Sequence, residues 1–168
     1  FSRTEKGGRY KWKYDVPHLG YKYHGNSIMA SIGLVQLKYL NEDNEYRNKI
    51  SKLYDDRLSE LNFIKHIKMS NYCSKSSRHL YQVRIKSPPN HPEINRDSLI
   101  SYMYENSIYP GVHYIDNTNY KLYDYGKSDC PKSREISEQL ISLPLHLGMD
   151  EEKVERVCKT IFSFFKRF

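Results

Sequence analysis

At 168 residues the chain is long enough for one domain or for a fragment of a larger protein. Its 14% aromatic content argues against an intrinsically disordered chain, because disordered sequences are poor in large rings. The net charge of +7 is compatible with an anionic partner, but the basic residues are scattered. Since they form no dense Lys/Arg cluster, a nucleic-acid-binding domain is the least favoured of the functions considered.

The three cysteines, Cys73, Cys130 and Cys158, lie far apart and form no CxxC pair. An odd, dispersed set argues against a disulfide framework, and nothing in the sequence resembles a metal motif. No apolar run is long enough to span a bilayer and no signal peptide is present, so we expect a cytoplasmic protein without a membrane partner. Because the chain begins at Phe1 rather than Met, we expect the natural polypeptide to start earlier or to be processed.

Residues 14–40 are the stretch around which the rest is organised. A Tyr-, Lys- and His-rich loop is predicted to lead into an apolar helix capped by Asn26 or Ser27. Two apolar stripes predict that this helix is buried on most sides. The loop and the free N–H groups of the helix start could together hold an anion, and a solvated loop packed on a neighbour is the alternative.

The second half of the sequence predicts a small α+β layer, a few strands with helices on one face. Residues 41–61 form an amphipathic connecting helix, with a polar start at 41–45 that is expected to interrupt the path from the first helix. The elements expected after it are strands at 63–69 and 79–86, a helix at 95–106, a strand at 108–115, a helix at 131–141, an extended segment at 143–146, and a last helix capped by Asp150.

A second candidate site follows Pro110 and Gly111, where His113 and Tyr114 end a predicted strand and could line a pocket. A histidine hydrogen-bonded within an interface is the alternative. The sequence has no Gly-rich phosphate loop, no nucleophile elbow and no paired carboxylates. Residue chemistry alone therefore predicts binding groups and no catalytic residue in this chain.

Four segments, in this order and spacing, resemble the DegT/DnrJ/StrS-type sugar aminotransferases, which are fold-type-I enzymes dependent on pyridoxal phosphate (PLP). They are YDVPHLGYKYHGNSIMASIGLVQLKYL (14–40), NEYRNKISKLYDDRL (44–58), IYPGVHYIDNTNY (108–120) and CPKSREISEQLISLPLHLGMDEEKVERV (130–157). The resemblance implies transfer of an amino group, usually from glutamate, to a keto group of a nucleotide-linked sugar. It also implies that the PLP-binding lysine lies upstream, so that this chain alone should be inactive.

The resemblance divides the chain into the end of the large domain (1–40), the connecting helix (41–61) and the small α+β domain (62–168). It implies a partner, either a second copy in a homodimer or the N-terminal half of the same enzyme. The loop would then reach the PLP phosphate of the partner subunit through Tyr21, His24 and Asn26, while Lys22, His113 and Tyr114 would line the nucleotide-sugar or glutamate pocket. A non-catalytic nucleotide- or protein-binding module descended from this fold is the alternative.

Overall fold

The computed structural model describes residues 15–21, 23, 25–67, 76–126 and 129–168. Five helices and three strands cover most of this part of the chain. The helices are α1 (Ser27–Leu37), α2 (Leu40–Leu58), α3 (Arg96–Glu105), α4 (Pro131–Gln139) and α5 (Glu151–Phe165). The strands are β1 (Ile64–His66), β2 (Tyr81–Ile85) and β3 (Leu140–Leu143), and short 3₁₀ turns occupy Asn117–Asn119 and Lys121–Gly126.

The three strands form one antiparallel sheet in the order β1-β2-β3. The register sets Ile64 opposite Ile85 and Gln82 opposite Ser142. Because side chains alternate along a strand, β2 sends three apolar residues into the core and two polar ones, Gln82 and Arg84, to the other face. We call this polar side the open face of the sheet.

The hydrophobic core lies between the apolar face of the sheet and three helices, α2, α3 and α5. Tyr54 of α2 stacks on Tyr81 of β2 with ring centroids 4.8 Å apart. Leu99 of α3 and Ile161 of α5 are completely buried in the same cluster. Helix α4 approaches from the side of Arg84, whose guanidinium donates to Gln139 and Glu135. The observed arrangement is the predicted α+β layer.

Two boundaries and one strand differ from the predictions. The first helix ends at a turn at 38–39, and the polar residues 41–45 lie inside α2 rather than interrupting it. The helix predicted to reach residue 141 ends at Gln139, because the following apolar run is a fully buried strand. The predicted strand at 108–115 is wrong. Pro110 has no N–H to donate to a ladder, and only an isolated bridge between Gly111 and Ser142 remains.

Helix α1 differs most from expectation, since none of its residues is buried within this chain. Its large apolar side chains are exposed, as for Leu34 at 66%. The described residues therefore do not supply the surface that the two apolar stripes were predicted to meet. Among the described residues, no helix is both long and apolar enough to cross a bilayer.

Candidate functional site

The loop before α1 ends at Asn26, which caps the helix as predicted. Its carboxamide oxygen accepts a hydrogen bond from the Met29 backbone N–H at 2.9 Å. The next N–H, that of Ala30, donates to the Asn26 carbonyl, so the N–H groups of Ser27 and Ile28 have no partner within the helix. The first turn contains no acidic residue. This helix start therefore presents donors and a positive dipole end to an anion.

The remaining predicted residues of this loop are only partly described. Tyr21 is 80% exposed, and its ring stacks on that of Tyr23 at a centroid distance of 6.0 Å. Lys22 and His24 lie outside the described residues. The Asn26 carboxamide oxygen accepts the cap hydrogen bond, and its NH₂ group can donate to a ligand. The described donors are suited to an anion such as a phosphate.

His113, the central residue of the second candidate site, is held against strands β2 and β3. Its Nδ1 lies 2.9 Å from the hydroxyl oxygen of Ser142. The side-chain amide of Gln82 donates to the His113 carbonyl. Gly111 and Ser142 exchange two backbone hydrogen bonds of 2.9 and 2.8 Å, which fix the segment that carries the histidine. Because Gln82 and Ser142 face each other across the two strands, one register places both contacts.

The electrostatic surroundings favour the neutral form of His113. Partial burial, and then the nearby His79, lower the pKa of the His113 imidazole from its ordinary value of 6.5. Desolvation penalises the charged ring, and a second imidazolium would repel it. At neutral pH the ring therefore offers one N–H donor and one lone pair rather than a positive charge.

An open cavity of about 370 Å³ lies on the open face of the sheet, and Gln82 links it to this histidine. Gln82 belongs to its wall and also holds His113. The other lining residues are Ile67, Ser76, Ser77, Arg78, His79 and Leu80. Several of these are hydrogen-bonding or cationic, and none is acidic. The cavity therefore favours polar or anionic ligands over apolar or cationic ones.

Tyr114, the residue after His113, is 64% exposed. Its ring meets the imidazole edge-on at a centroid distance of 5.2 Å. It also borders a larger cleft of about 720 Å³ beside α4, together with Asn117, Cys130 and Ile136 among others. A tyrosine in this position could contact a ligand in that cleft.

The structure brings together His113 and Tyr114, and it adds residues that the sequence analysis did not single out. Gln82 and Ser142 were missed because they emerge as a pair only once the register of two strands is known.

No hydrogen bond between described residues joins Tyr21 or Asn26 to His113 or Tyr114. Residues 14–40 do contact the second half of the chain at one point, where the Lys121 backbone N–H donates to the Asp15 side chain at 3.4 Å. No group of three or more His, Cys, Asp or Glu in the described residues could hold a metal ion.

The sequence matches the profile of the DegT/DnrJ/EryC1/StrS aminotransferase family over residues 2–162. A UDP-4-amino-4,6-dideoxy-N-acetyl-beta-L-altrosamine transaminase of Campylobacter jejuni is 27% identical over 93% of the chain. A UDP-4-amino-4-deoxy-L-arabinose–oxoglutarate aminotransferase of Shewanella sediminis is 31% identical over 88% of it. These matches cover 41% and 39% of the two relatives.

Solved structures of aminotransferases have a similar fold in the part that they share with this chain. The aminotransferase TlmJ of Streptoalloteichus hindustanus superposes with a TM-score of 0.73 at 25% identity, over 93% of this chain and 41% of TlmJ. A candidate sugar aminotransferase of Streptococcus pneumoniae, solved in its PMP and PLP forms, gives TM-scores of 0.74 and 0.72 at 27% identity. It is matched over 94% of this chain and 39% of its own length in the PMP form.

The chain thus spans about two fifths of the length of the relatives that it matches. The matched part has the small α+β fold described above, with three strands and the helices that cover them. The profile match extends over nearly the whole chain and is accompanied by relatives from several organisms. The chain belongs to the DegT/DnrJ/EryC1/StrS aminotransferase family.

Proposed function

We propose that this chain is the C-terminal part of a PLP-dependent aminotransferase that transfers an amino group, from glutamate, to a keto group of a nucleotide-linked sugar. The observation that carries the proposal is the family match over residues 2–162. The names of two relatives, each describing an aminotransferase of a UDP-linked sugar, support the substrate class. The sugar itself is left open.

The proposed division of the chain follows from this assignment. Residues 1–40 end the large domain, 41–61 form the connecting helix, and 62–168 form the small domain. The absence of buried residues in α1 supports its place in a different unit from the core that α3 and α5 build. Helix α2 connects the two and contributes Ile50, Tyr54 and Leu58 to that core.

The residues proposed to reach the cofactor phosphate are Tyr21, His24 and Asn26. The fit of this loop to a phosphate is supported by the uncommitted N–H groups at the start of α1 and by the lack of acid in its first turn. When bound, PLP supplies the electron sink for amino-group transfer. The loop of this chain would then bind and orient the phosphate of PLP. That PLP would be held either by a second copy in a homodimer or by the N-terminal half of the same enzyme.

The substrate is proposed to lie against Lys22, His113 and Tyr114. A neutral imidazole can bond an oxygen or an N–H of the substrate without adding charge, and the tyrosine ring offers a flat surface to a sugar or a base. The cavity lined by Arg78 and His79 would extend this surface toward acidic groups. We propose that the lysine that carries the cofactor belongs to a region preceding these residues in a longer or two-part enzyme.

The test is to produce the chain together with the sequence encoded upstream of it, add PLP, and measure glutamate-dependent amination of 4-keto nucleotide sugars. We expect both the absorbance of lysine-bound cofactor and amination from the longer protein. The 168-residue chain alone is the control and should show neither. A folded longer protein that lacks both activities would instead favour the alternative, a non-catalytic nucleotide- or protein-binding module.

Replacing His24 tests the proposed phosphate contact in that longer protein. A hydrogen bond to a charged group contributes about 1.5–3 kcal/mol, so His24→Ala should weaken PLP retention roughly 10- to 100-fold. The measurement is the PLP dissociation constant by fluorescence, with circular dichroism to verify folding. His18→Ala, at an exposed histidine six residues earlier, is the matched control. Equal PLP affinity in both variants would limit this part of the loop to packing.

A further inference from the structure

The contacts around His113 determine more than its position, because they involve one ring nitrogen and leave the other available. Nδ1 lies 2.9 Å from the Ser142 hydroxyl oxygen. Nε2 has no hydrogen-bond partner among the described residues. A neutral imidazole carries its proton on one nitrogen only, and the partner of the other nitrogen selects which. The question is whether Ser142 donates to Nδ1 or accepts from it.

The burial of Ser142 decides between these two arrangements. The residue is only 3% exposed, and His113 is the one partner of its hydroxyl in the described part of the chain. If Nδ1 carried the proton and donated to the serine, the buried O–H would be left without an acceptor. An unsatisfied buried donor is costly, whereas an unused lone pair is tolerated more readily. Donation from the Ser142 hydroxyl to Nδ1 is therefore favoured.

Two further residues limit the space and the movement of His113. A Cβ placed on Gly111 would lie 2.5 Å from Cε1 and 3.1 Å from Nδ1 of His113, so the ring packs directly on the glycine backbone. Gln82 holds the main chain of the histidine through its carbonyl. Gln82 thus holds the backbone of His113, and Gly111 limits the space around its ring.

We propose that Ser142 is a positioning residue that donates its hydroxyl proton to Nδ1 of His113, so that the neutral ring carries its proton on Nε2 and offers it to an oxygen atom of the nucleotide-sugar substrate. The tautomer follows from the contacts within this chain. The choice of a substrate oxygen as acceptor rests on the proposed function. These two halves can be tested separately.

The tautomer is measured on the full chain by long-range proton–nitrogen NMR with labelled histidine at mildly alkaline pH. The His113 signals are assigned by their disappearance in His113→Gln. We expect the Nε2–H form in the wild type. In Ser142→Ala the ratio of the Nδ1–H form to the Nε2–H form should rise about 2- to 10-fold, because a bond of about 0.5–1.5 kcal/mol is removed.

Three variants separate positioning from a general effect of substitution. Ser142→Thr keeps the hydroxyl and should retain the wild-type ratio. Gly111→Ala keeps Ser142 but pushes the ring from its place, and should shift the ratio as Ser142→Ala does. Ser51→Ala removes another buried serine, whose hydroxyl bonds the Arg47 carbonyl in α2, and should leave His113 unchanged. A dominant Nδ1–H form in the wild type, or an unaltered ratio in Ser142→Ala, would overturn the assignment.

The substrate half is tested in the longer enzyme by steady-state kinetics with a 4-keto nucleotide sugar. Ser142→Ala should lower kcat/KM about 2- to 10-fold, with recovery in Ser142→Thr and no change in Ser51→Ala. Unchanged kcat/KM beside an altered tautomer ratio would refute the role toward substrate. If the wild-type enzyme aminates no sugar, the proposed function fails while the NMR result still decides the tautomer.

Discussion

Helices α1 and α5 are both rich in apolar residues, yet they have opposite relations to the rest of the chain. α5 buries six of its fifteen residues, including Val154, Ile161 and Phe165, in the core. α1 buries none of its eleven. The difference lies in the pattern. α5 is apolar on one face and charged on the other, whereas α1 is apolar on nearly every side and has no charged face to turn toward water.

The sequences of the two helices carry different amounts of information about their packing. An amphipathic pattern shows which face of a helix is buried, so the buried face of α5 could be predicted from its sequence. A helix with apolar residues on nearly every side needs to be buried on several sides, but its sequence does not show which part of the protein covers it. Fully burying a Leu or Ile side chain contributes about 1.5–3 kcal/mol, and no side chain of α1 is fully buried within the described chain. The proposed large domain is the natural source of that cover.

The largest expected difference is between leucine truncations in the two regions. Leu99→Ala removes a side chain of α3 that is completely buried, and it should lower the free energy of unfolding by about 2–5 kcal/mol. Leu34→Ala removes a side chain of α1 that is 66% exposed, and it should change that free energy by about 0.5 kcal/mol or less. Urea unfolding of the 168-residue chain measures both.

The same two substitutions in the longer protein test whether a preceding region covers α1. If a preceding region covers α1, Leu34→Ala should become destabilising by an amount close to that of Leu99→Ala. If the cost of Leu34→Ala stays small there, α1 is exposed in the longer protein too, and the proposed place of residues 1–40 in a large domain is wrong.

Much of the small domain could be predicted because local signals and packing agree. Asn95 and Asp150 cap helices α3 and α5 as expected, and the apolar stripe of α2 is buried at Ile50, Tyr54 and Leu58. The strand predicted at 108–115 failed because alternating apolar residues suit a strand, but Pro110 removes a donor that a ladder needs.

The candidate site was predictable in part only. His113 and Tyr114 were expected at a pocket because their residue types and the preceding glycine suggested it, and their role in binding stays a prediction; of the two, Tyr114 lines the cleft beside α4. The partners of His113 could not be read from the sequence. Gln82 and Ser142 are sixty residues apart, and the antiparallel register that pairs them is a property of the folded sheet. The apolar run that contains Ser142 also gave no sign that its serine would face a histidine.

A smaller effect is expected from the helix caps, which are chemically similar in the two regions. Asn95 accepts hydrogen bonds from the backbone N–H groups of Asp97 and Ser98 at 3.0 Å each. Asn95→Ala should lower the global free energy of unfolding by about 0.5–2 kcal/mol, because α3 belongs to the core. Asn26→Ala removes the corresponding bond to Met29 but should leave global unfolding almost unchanged.

The effect of Asn26→Ala should appear in α1 itself. Amide hydrogen exchange at Ala30, whose N–H bonds the Asn26 carbonyl, should become faster by roughly 2- to 30-fold if the helix is capped as described. Asn95→Ala should leave this amide unaffected. An equal loss of global stability in both variants would show that α1 unfolds together with the core, contrary to the contrast drawn from burial.

The smallest effect concerns the ion pair that joins α2 to α5. Arg57 bonds Glu155 and Glu151 at 2.7 Å each, and the bond to Arg57 holds the pKa of the Glu155 carboxyl below its ordinary value of 4.5. A lowered pKa means that the contribution to stability is present above about pH 4.5 and is lost as the pH falls through the folded-state pKa.

The urea midpoint of the wild type should therefore drop over that acidic range. Glu155→Gln should show a shallower drop, since it has no proton to take up there. Glu60→Gln, at an exposed glutamate just after α2, is the control and should follow the wild type. Equal slopes for all three proteins would mean that this ion pair does not help hold α2 against α5, and that apolar packing alone distinguishes the core helices from α1.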